Sequence, residues 1–462
     1  MTDFSMLVVP DKGQDARNIL LIDSAGFADW LAGQPVAQRA LVRASKFAGA
    51  ADSFVLLPAG EDFAVIAGVA NAAAPDPWSL ARLGEALPEG HYRLASPAPA
   101  SSLFGWLIGQ HVFDRYKQAE EPQGPRIMLV SEGLGKIDDI VRQAEATALV
   151  RDLVNTPAAD MGPDALEAVA RDMATTHGAE IVVTTGDALE NGYPMIHGVG
   201  KAAMRAHAPR LIEIIWGNPA HPRIAIVGKG VTFDTGGLNM KTGGGMALMK
   251  KDMGGAAHAL GLAQLVMGAK LPVRLHLLVP AAENAIDNRA MRPGDILNSR
   301  KGLTVEITNT DAEGRLVLGD ALTRAGEDKP ELIIDFATLT GAARVALGPD
   351  LPVLFSNDDA LADGLLQAGT AVSDPCWRLP LWPAYDAMLA SPIADCMNSA
   401  SGGFAGSITA ALFLQKFVPD ATPWAHFDTF AWEPNGKAGH PKGGDALGLR
   451  ASYRYLCDRF GA

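Results

Sequence analysis

Three short segments combine carboxylates, cationic side chains and glycines in patterns that suit hydrolytic metal chemistry. The first, Gly228-Lys229-Gly230-Val231-Thr232-Phe233-Asp234-Thr235-Gly236-Gly237, follows an apolar run at 223–227. The second is Lys250-Lys251-Asp252-Met253-Gly254-Gly255, placed where a helix should begin. The third is Asn309-Thr310-Asp311-Ala312-Glu313-Gly314-Arg315, after a run at 304–308. In an extended backbone, side chains at i, i+2 and i+4 point the same way, so Asp311, Glu313 and Arg315 would share one side. Two carboxylates that close repel unless a cation lies between them. Arg315 is one such cation, and a divalent metal ion is another. A solvated turn opening a helix, with acids near its positive end, accounts for this segment equally well. Asp234 and Asp252 shift the balance, because each lies among glycines that let backbone approach a ligand closely. Asp234, Asp252, Asp311 and Glu313 together match the charge of two divalent ions, which is what a buried site requires. A pair of ions ~3.5–4 Å apart is an established hydrolytic device.

Other chemistries find less support. The ten histidines include no HExxH and none falls in the three segments, which disfavours a histidine-rich zinc site. Gly228-Lys229-Gly230 does not satisfy the phosphate-loop pattern, and no GxSxG elbow occurs. His426, in a strand-like run, reads as a packed histidine, Lys241 by itself as a solvated loop lysine, and 408–414 as core helix.

These segments need a framework. Apolar runs at 18–22, 53–57, 64–68 and 126–130, with helical patterns at 28–48, 78–86 and 103–118, predict a small α/β domain over residues 1–150. A helix at 137–154 ends at Asn155-Thr156-Pro157 and connects to the rest. Strands at 180–183, 211–216, 223–227, 273–279, 304–308, 331–337 and 425–428 alternate with helices at 164–177, 252–269, 315–326 and 407–417. That alternation predicts a larger C-terminal catalytic α/β domain, 151–462, with a mainly parallel central sheet flanked by helices. In such sheets ligands lie beyond the carboxyl ends of the strands.

Composition sets the outer bounds. The 462 residues are 48% apolar and 20% charged, as in an ordinary globular protein. The net charge of −13 argues against nucleic acid or anionic lipid as a partner. Three cysteines form neither a disulfide framework nor a CxxC pattern. The amino terminus lacks the basic and apolar regions of a signal peptide, and no apolar stretch reaches membrane-spanning length, so a cytoplasmic location is expected.

The chain resembles the leucyl aminopeptidase (cytosol aminopeptidase) family of two-metal exopeptidases. The resemblance rests on VGKGVTFDTGGLNMK (227–241), MKKDMGGAAHALG (249–261), AAENAIDNRAMRPGDIL (281–297), NTDAEGRLVLGDALT (309–323) and DFATLTGA (335–342). Weaker echoes are RDLVNTPAADMGP (151–163), GSITAALFL (406–414) and WAHFD (424–428). It covers about 150–462, while the first 150 residues match only in size and α/β pattern.

The resemblance implies that Lys229, Asp234, Asp252, Asp311 and Glu313 are ligands to two divalent ions, Mn2+ or Zn2+, with Asp234 and Glu313 bridging. Lys229 would then have to be neutral. It implies hydrolysis of the first bond of peptides with a free N-terminus by a metal-activated water. Lys241 would stabilise the oxyanion, and Arg315 would hold a bicarbonate that shuttles the proton. Met249, Asn309, Thr338, Leu339 and Gly341, with Lys241, would line the substrate pocket and favour Leu- or Met-like first residues. It further implies a homohexamer, leaving assembly or regulation to residues 1–150. Competing readings are another dinuclear hydrolase, an amidase or phosphohydrolase, and a DNA-binding regulator. Three departures stand out: the glycine-rich run Thr242-Gly243-Gly244-Gly245 beside Lys241, Gly319 in place of the commoner alanine at ~1 kcal/mol, and the stretch 443–448.

Overall fold

The structure is a computed structural model that describes residues 2–117 and 124–461. The chain divides into two compact units, residues 1–148 with 435–442, and residues 149–434 with 443–462. The division falls within the helix Ile137–Asn155.

The first unit is built on a six-stranded sheet among the described residues. Its strands run in the order Val8–Pro10, Arg126–Val130, Gly90–Leu94, Arg17–Ile22, Asp62–Gly68, Ser53–Ala59. Every pairing is parallel except the last, a hairpin. Phe4, Tyr92, Phe104 and Trp106 fill its core. The helix expected over 28–48 is two helices, Phe27–Ala32 and Val36–Ala44. Gly33 and Pro35 separate them, and a proline disfavours helical geometry in the residue before it. The helix expected over 103–118 stops at Ile108, and residue 118 itself lies outside the described residues.

In the second unit the described residues form a nine-stranded mixed sheet with a parallel centre. Trp424–Asp428, Leu332–Ala337, Arg223–Gly228 and Arg274–Asn284 lie side by side and parallel. All six residues of Leu332–Ala337 are buried, as befits a strand covered on both faces. Alternation along Arg223–Gly228 distributes the helices. Ala225 and Val227 pack in one cluster with Leu316 and Val317 of the helix Gly314–Glu327. Gly228, on the opposite face, abuts Ala256 and Ala259 of the helix Gly254–Gly268. The two helices therefore cover opposite faces.

Several elements depart from expectation. The strand expected to end at 279 continues through Pro280 to Asn284, and its added length pairs with an unforeseen strand, Gly230–Asp234. The expected strand at 304–308 is only Thr304–Glu306 and belongs to a separate three-stranded sheet with Ile296–Asn298 and Cys396–Met397. The strand Val353–Ser356 and the helices Asp359–Ala371 and Leu449–Phe460 were not anticipated. Among the described residues, no helix is long and apolar enough to cross a membrane.

Candidate metal centre and substrate cavity

The chemistry-bearing loops converge at the carboxyl ends of the parallel strands. Lys229 follows Arg223–Gly228, Asp234 ends Gly230–Asp234, Thr338 follows Leu332–Ala337 and Asp428 ends Trp424–Asp428. Asp252 sits on the 3-10 turn Met249–Met253 that leads into Gly254–Gly268. Glu313 is the N-cap residue of Gly314–Glu327, with helical dihedral angles of φ −77° and ψ −33°. The extended geometry assumed for Asp311, Glu313 and Arg315 is therefore absent. The segment is a turn opening a helix, but a buried one: Glu313 is 1% exposed and Arg315 8%.

Lys229, Asp234, Lys241, Met249, Asp252, Asn309, Asp311, Glu313, Arg315, Thr338, Leu339 and Gly341, all the sequence-derived site residues, line one cavity of about 540 Å³. Ligand atoms of Asp234, Asp252 and Glu313 lie within 4.8 Å of one another, and all three residues are buried. Two ammonium groups sit among the acids. Lys229 Nζ is 2.6 Å from Asp252 Oδ2 and 3.0 Å from Glu313 Oε1. Lys241 Nζ is 2.8 Å from Asp234 Oδ2 and 2.5 Å from Asp311 Oδ1. Burial pulls the Lys229 ammonium down, but Asp252, Glu313 and Asp234 outweigh it and hold it above its ordinary value. Burial pushes the Glu313 carboxyl up to about 7 and Asp311 up to about 6, with Asp234 adding to both.

The four carboxylates make direct ion pairs with only two ammonium groups, and crowded carboxylates are costly unless compensated. Glu313 Oε2 has no hydrogen-bond partner. An oxygen-rich cluster with an unsatisfied carboxylate oxygen fits divalent cations.

The surrounding residues fix the acids in place. Asn284 Nδ2 donates to Asp234 Oδ1 at 2.8 Å, the direct consequence of the longer strand and its pairing. Thr338 Oγ1 donates to Asp252 Oδ1 at 2.8 Å, and the Thr338 carbonyl accepts from Lys229 Nζ at 3.0 Å. Thr310 Oγ1 donates to the Gly236 carbonyl, and Asn398 Nδ2 to the Asn309 carbonyl. Gly236, at φ +87°, takes a backbone conformation that side chains rarely adopt, and this brings it against Asp311. Asp428 accepts from the backbone N–H groups of Leu339 and Thr340 and from the Thr340 hydroxyl. Asn284, Asn398 and Asp428 were not singled out in the sequence. Asn284 and Asp428 lie in recognised segments, but nothing in spacing marks them.

Arg315 donates to the Asn398 carbonyl, and its Nε has no partner. Burial lowers its guanidinium to about 10. His426 is fully buried, with Nδ1 2.6 Å from Asp335 Oδ1, as a packed histidine should be. Lys251 and Phe430 also line the cavity, and neither was anticipated as a site residue. Burial pushes the Lys251 ammonium down to about 8.

Comparison with known proteins identifies the family. The profile of the cytosol aminopeptidase family, catalytic domain, matches residues 148–452. This chain belongs to that family. The M17 aminopeptidase N-terminal domain matches residues 18–129, a likeness that strand and helix pattern alone had not made visible. A probable cytosol aminopeptidase of Syntrophotalea carbinolica is 42% identical over 362 residues, covering 75% of this chain and 72% of the relative. One from Brucella suis is 38% identical and covers 92% and 91%. The crystal structure of a cytosol aminopeptidase from Coxiella burnetii matches with a TM-score of 0.91 and 42% identity, covering 98% of this chain and 99% of that one. The bottromycin maturation enzyme BotP in complex with Mn matches at 0.86 and 33% identity, covering 96% and 100%. As a cytosol aminopeptidase family member the chain is a peptidase, and the family is metal-dependent.

Proposed function

We propose that this aminopeptidase releases the first residue from peptides with a free N-terminus, using two divalent ions held by Lys229, Asp234, Asp252, Asp311 and Glu313. The observation that carries the reading is the buried cluster of Asp234, Asp252 and Glu313 in the same cavity as Lys241 and Arg315. Bound Mn2+ or Zn2+ would supply a water of lowered pKa and an anchor for the substrate amine. Lys229 serves as a ligand only after giving up its proton, and the charge of the ions favours that loss. The Lys241 ammonium, oriented by Asp234 and Asp311, offers a positive charge to the scissile carbonyl oxygen as it becomes an oxyanion. Arg315, with one N–H unpartnered, suits a small oxyanion such as bicarbonate, which would carry the proton from water to the leaving amine. Asp428 holds the Leu339–Thr340 backbone that walls the pocket. Met249 and Leu339 give that wall apolar surface for Leu- or Met-like first residues. A homohexamer and a cytosolic location follow the family, and curated relatives carry the name cytosol aminopeptidase.

The test is hydrolysis of Leu-p-nitroanilide by the Mn2+- or Zn2+-loaded protein against N-acetyl-Leu-p-nitroanilide and p-nitrophenyl phosphate. Cleavage of the first alone is the expected result. Cleavage of the blocked substrate or the phosphate ester would move the reading to an amidase or phosphohydrolase.

A further inference from the structure

The wall of the substrate cavity carries two cations, Lys251 and Arg344, that form no direct ion pair among the described residues. The Lys251 side chain is buried, at 5% exposure, yet among the described residues its ammonium makes no hydrogen bond or ion pair. It faces an aromatic ring: Nζ lies 4.9 Å from the centroid of Phe430. The guanidinium of Arg344, on the helix Gly341–Leu347, lies 4.7 Å from the same centroid and also has no acidic partner among the described residues. Lys251, Arg344 and Phe430 all line the cavity. The nearby acids Asp252 and Asp428 favour the Lys251 ammonium only by their charge, their oxygens being bonded to other groups. Asp252 faces Lys229 and Thr338, and Asp428 holds Leu339 and Thr340.

Two like charges drawn to one ring repel each other, and a ring face returns only a fraction of the hydration that a buried ammonium loses. An arrangement of this kind is completed by an anion. A carboxylate from the cavity side would meet an ammonium and a planar guanidinium donor together, the pairing that gives strong charge-assisted hydrogen bonds.

We propose that Lys251 and Arg344, set against Phe430, form a carboxylate-accepting wall that selects aspartate or glutamate as the first residue of the substrate over the corresponding amides. This rests on the aminopeptidase reading and adds a substrate class to it. Lys251 is bonded in sequence to Asp252, one of the residues assigned to the ions that anchor the free α-amine. Met249, on the same turn, and Gly341, which opens the helix carrying Arg344, are both assigned to the pocket of the first residue, so the side chain of that residue would enter beside the two cations. The ring of Phe430 and the methylenes of the two cations pack the aliphatic stem, and the two charged heads take the carboxylate.

The experiment measures kcat/KM of the metal-loaded enzyme on Glu-Ala-amide, Gln-Ala-amide, Leu-Ala-amide and Leu-Ala. The amides carry no terminal carboxylate, so the first side chain is the only source of one. The wild type is expected to favour Glu over Gln by at least ~10-fold, the scale of a charge-assisted contact. Lys251→Met should bring that ratio close to one, and Arg344→Met should lower it several-fold. Arg344 lies on an exposed helix, so its variant keeps the test alive should Lys251→Met fold poorly. Calorimetric binding of free glutamate against glutamine, which needs no turnover, should show the same order and the same loss. A Glu/Gln ratio near one that neither variant moves would overturn the proposal. So would a preference for Leu-Ala over Leu-Ala-amide that collapses in the variants, because the wall would then serve the substrate's terminal carboxylate. Failure to cleave any of the four peptides would instead strike the aminopeptidase reading itself.

Discussion

Gly314 and Lys229 share a space that holds only one side chain: a Cβ added to Gly314 would lie 2.4 Å from Lys229 Cε and 2.6 Å from Nζ. The glycine that follows Glu313 is thus there to admit the lysine between Asp252 and Glu313. Gly314→Ala must push the flexible end of Lys229 away from both acids. A shift of order 1 Å at a reacting centre costs ~10²-fold in rate. The expected outcome is a loss of that size in kcat/KM on Leu-p-nitroanilide, with a circular dichroism spectrum like the wild type's. Full activity in Gly314→Ala would remove Lys229 from the site.

Asp428 ties the Leu339–Thr340 turn to the end of its strand through two backbone N–H groups and a hydroxyl. Asp428→Asn keeps the shape but removes the charge, and hydrogen bonds to charged groups are worth ~1.5–3 kcal/mol. A loosened pocket wall should raise KM by about tenfold, more than it lowers kcat, as steady-state kinetics would reveal. Unchanged KM would mean the turn holds its form without the carboxylate.

Gly319 looks on sequence like a stability cost, since alanine favours helix by ~1 kcal/mol. Packing opposes that gain. A Cβ at 319 would lie 2.7 Å from Met195 Cε and 3.1 Å from Phe417 Cδ2. Overpacking of this kind costs ~1–3 kcal/mol, so Gly319→Ala should lower the midpoint of denaturant unfolding. A raised midpoint would show that Met195 and Phe417 yield freely.

In the first unit, the Arg93 guanidinium holds the Asp11 carboxyl down at about 2, with the Gly13 N–H assisting. The folded-state value is below the ordinary value of 3.8, so the pair stabilises the fold above that pH, and the contribution fades as pH falls towards 2. Asp11→Asn should therefore differ from wild type in thermal stability at pH 6, the gap narrowing below pH 4 and closing only below about pH 2. A gap that persists at low pH would assign the effect to something other than this ionisation.

How much of this was legible in the chain depends on how local each feature is. Asp234, Asp252, Asp311 and Glu313 stood out because each lies in a short glycine-flanked segment, and the family likeness joined them. The strand–helix alternation marked the parallel centre, since buried strands there are continuous apolar runs. Arg274–Asn284 was cut short at Pro280, which lacks the N–H that a ladder uses. That hid the pairing with Gly230–Asp234 and, with it, the role of Asn284. The extended reading of residues 311–315 failed because Glu313 already has helical dihedral angles. Lys251, Arg344 and Phe430 come from separate segments, and no periodicity links residues that meet only through tertiary packing.

Everything proposed for catalysis turns on the buried acids gathering a pair of divalent ions. The direct measurement is an equilibrium titration of chelator-treated protein with Mn2+, followed by calorimetry and checked by elemental analysis. Two ions per chain are expected for the wild type, with at least one lost in both Asp234→Asn and Glu313→Gln and p-nitroanilide hydrolysis returning only as the sites fill. Binding of fewer than two ions by the wild type, or full occupancy in both variants, would contradict the account.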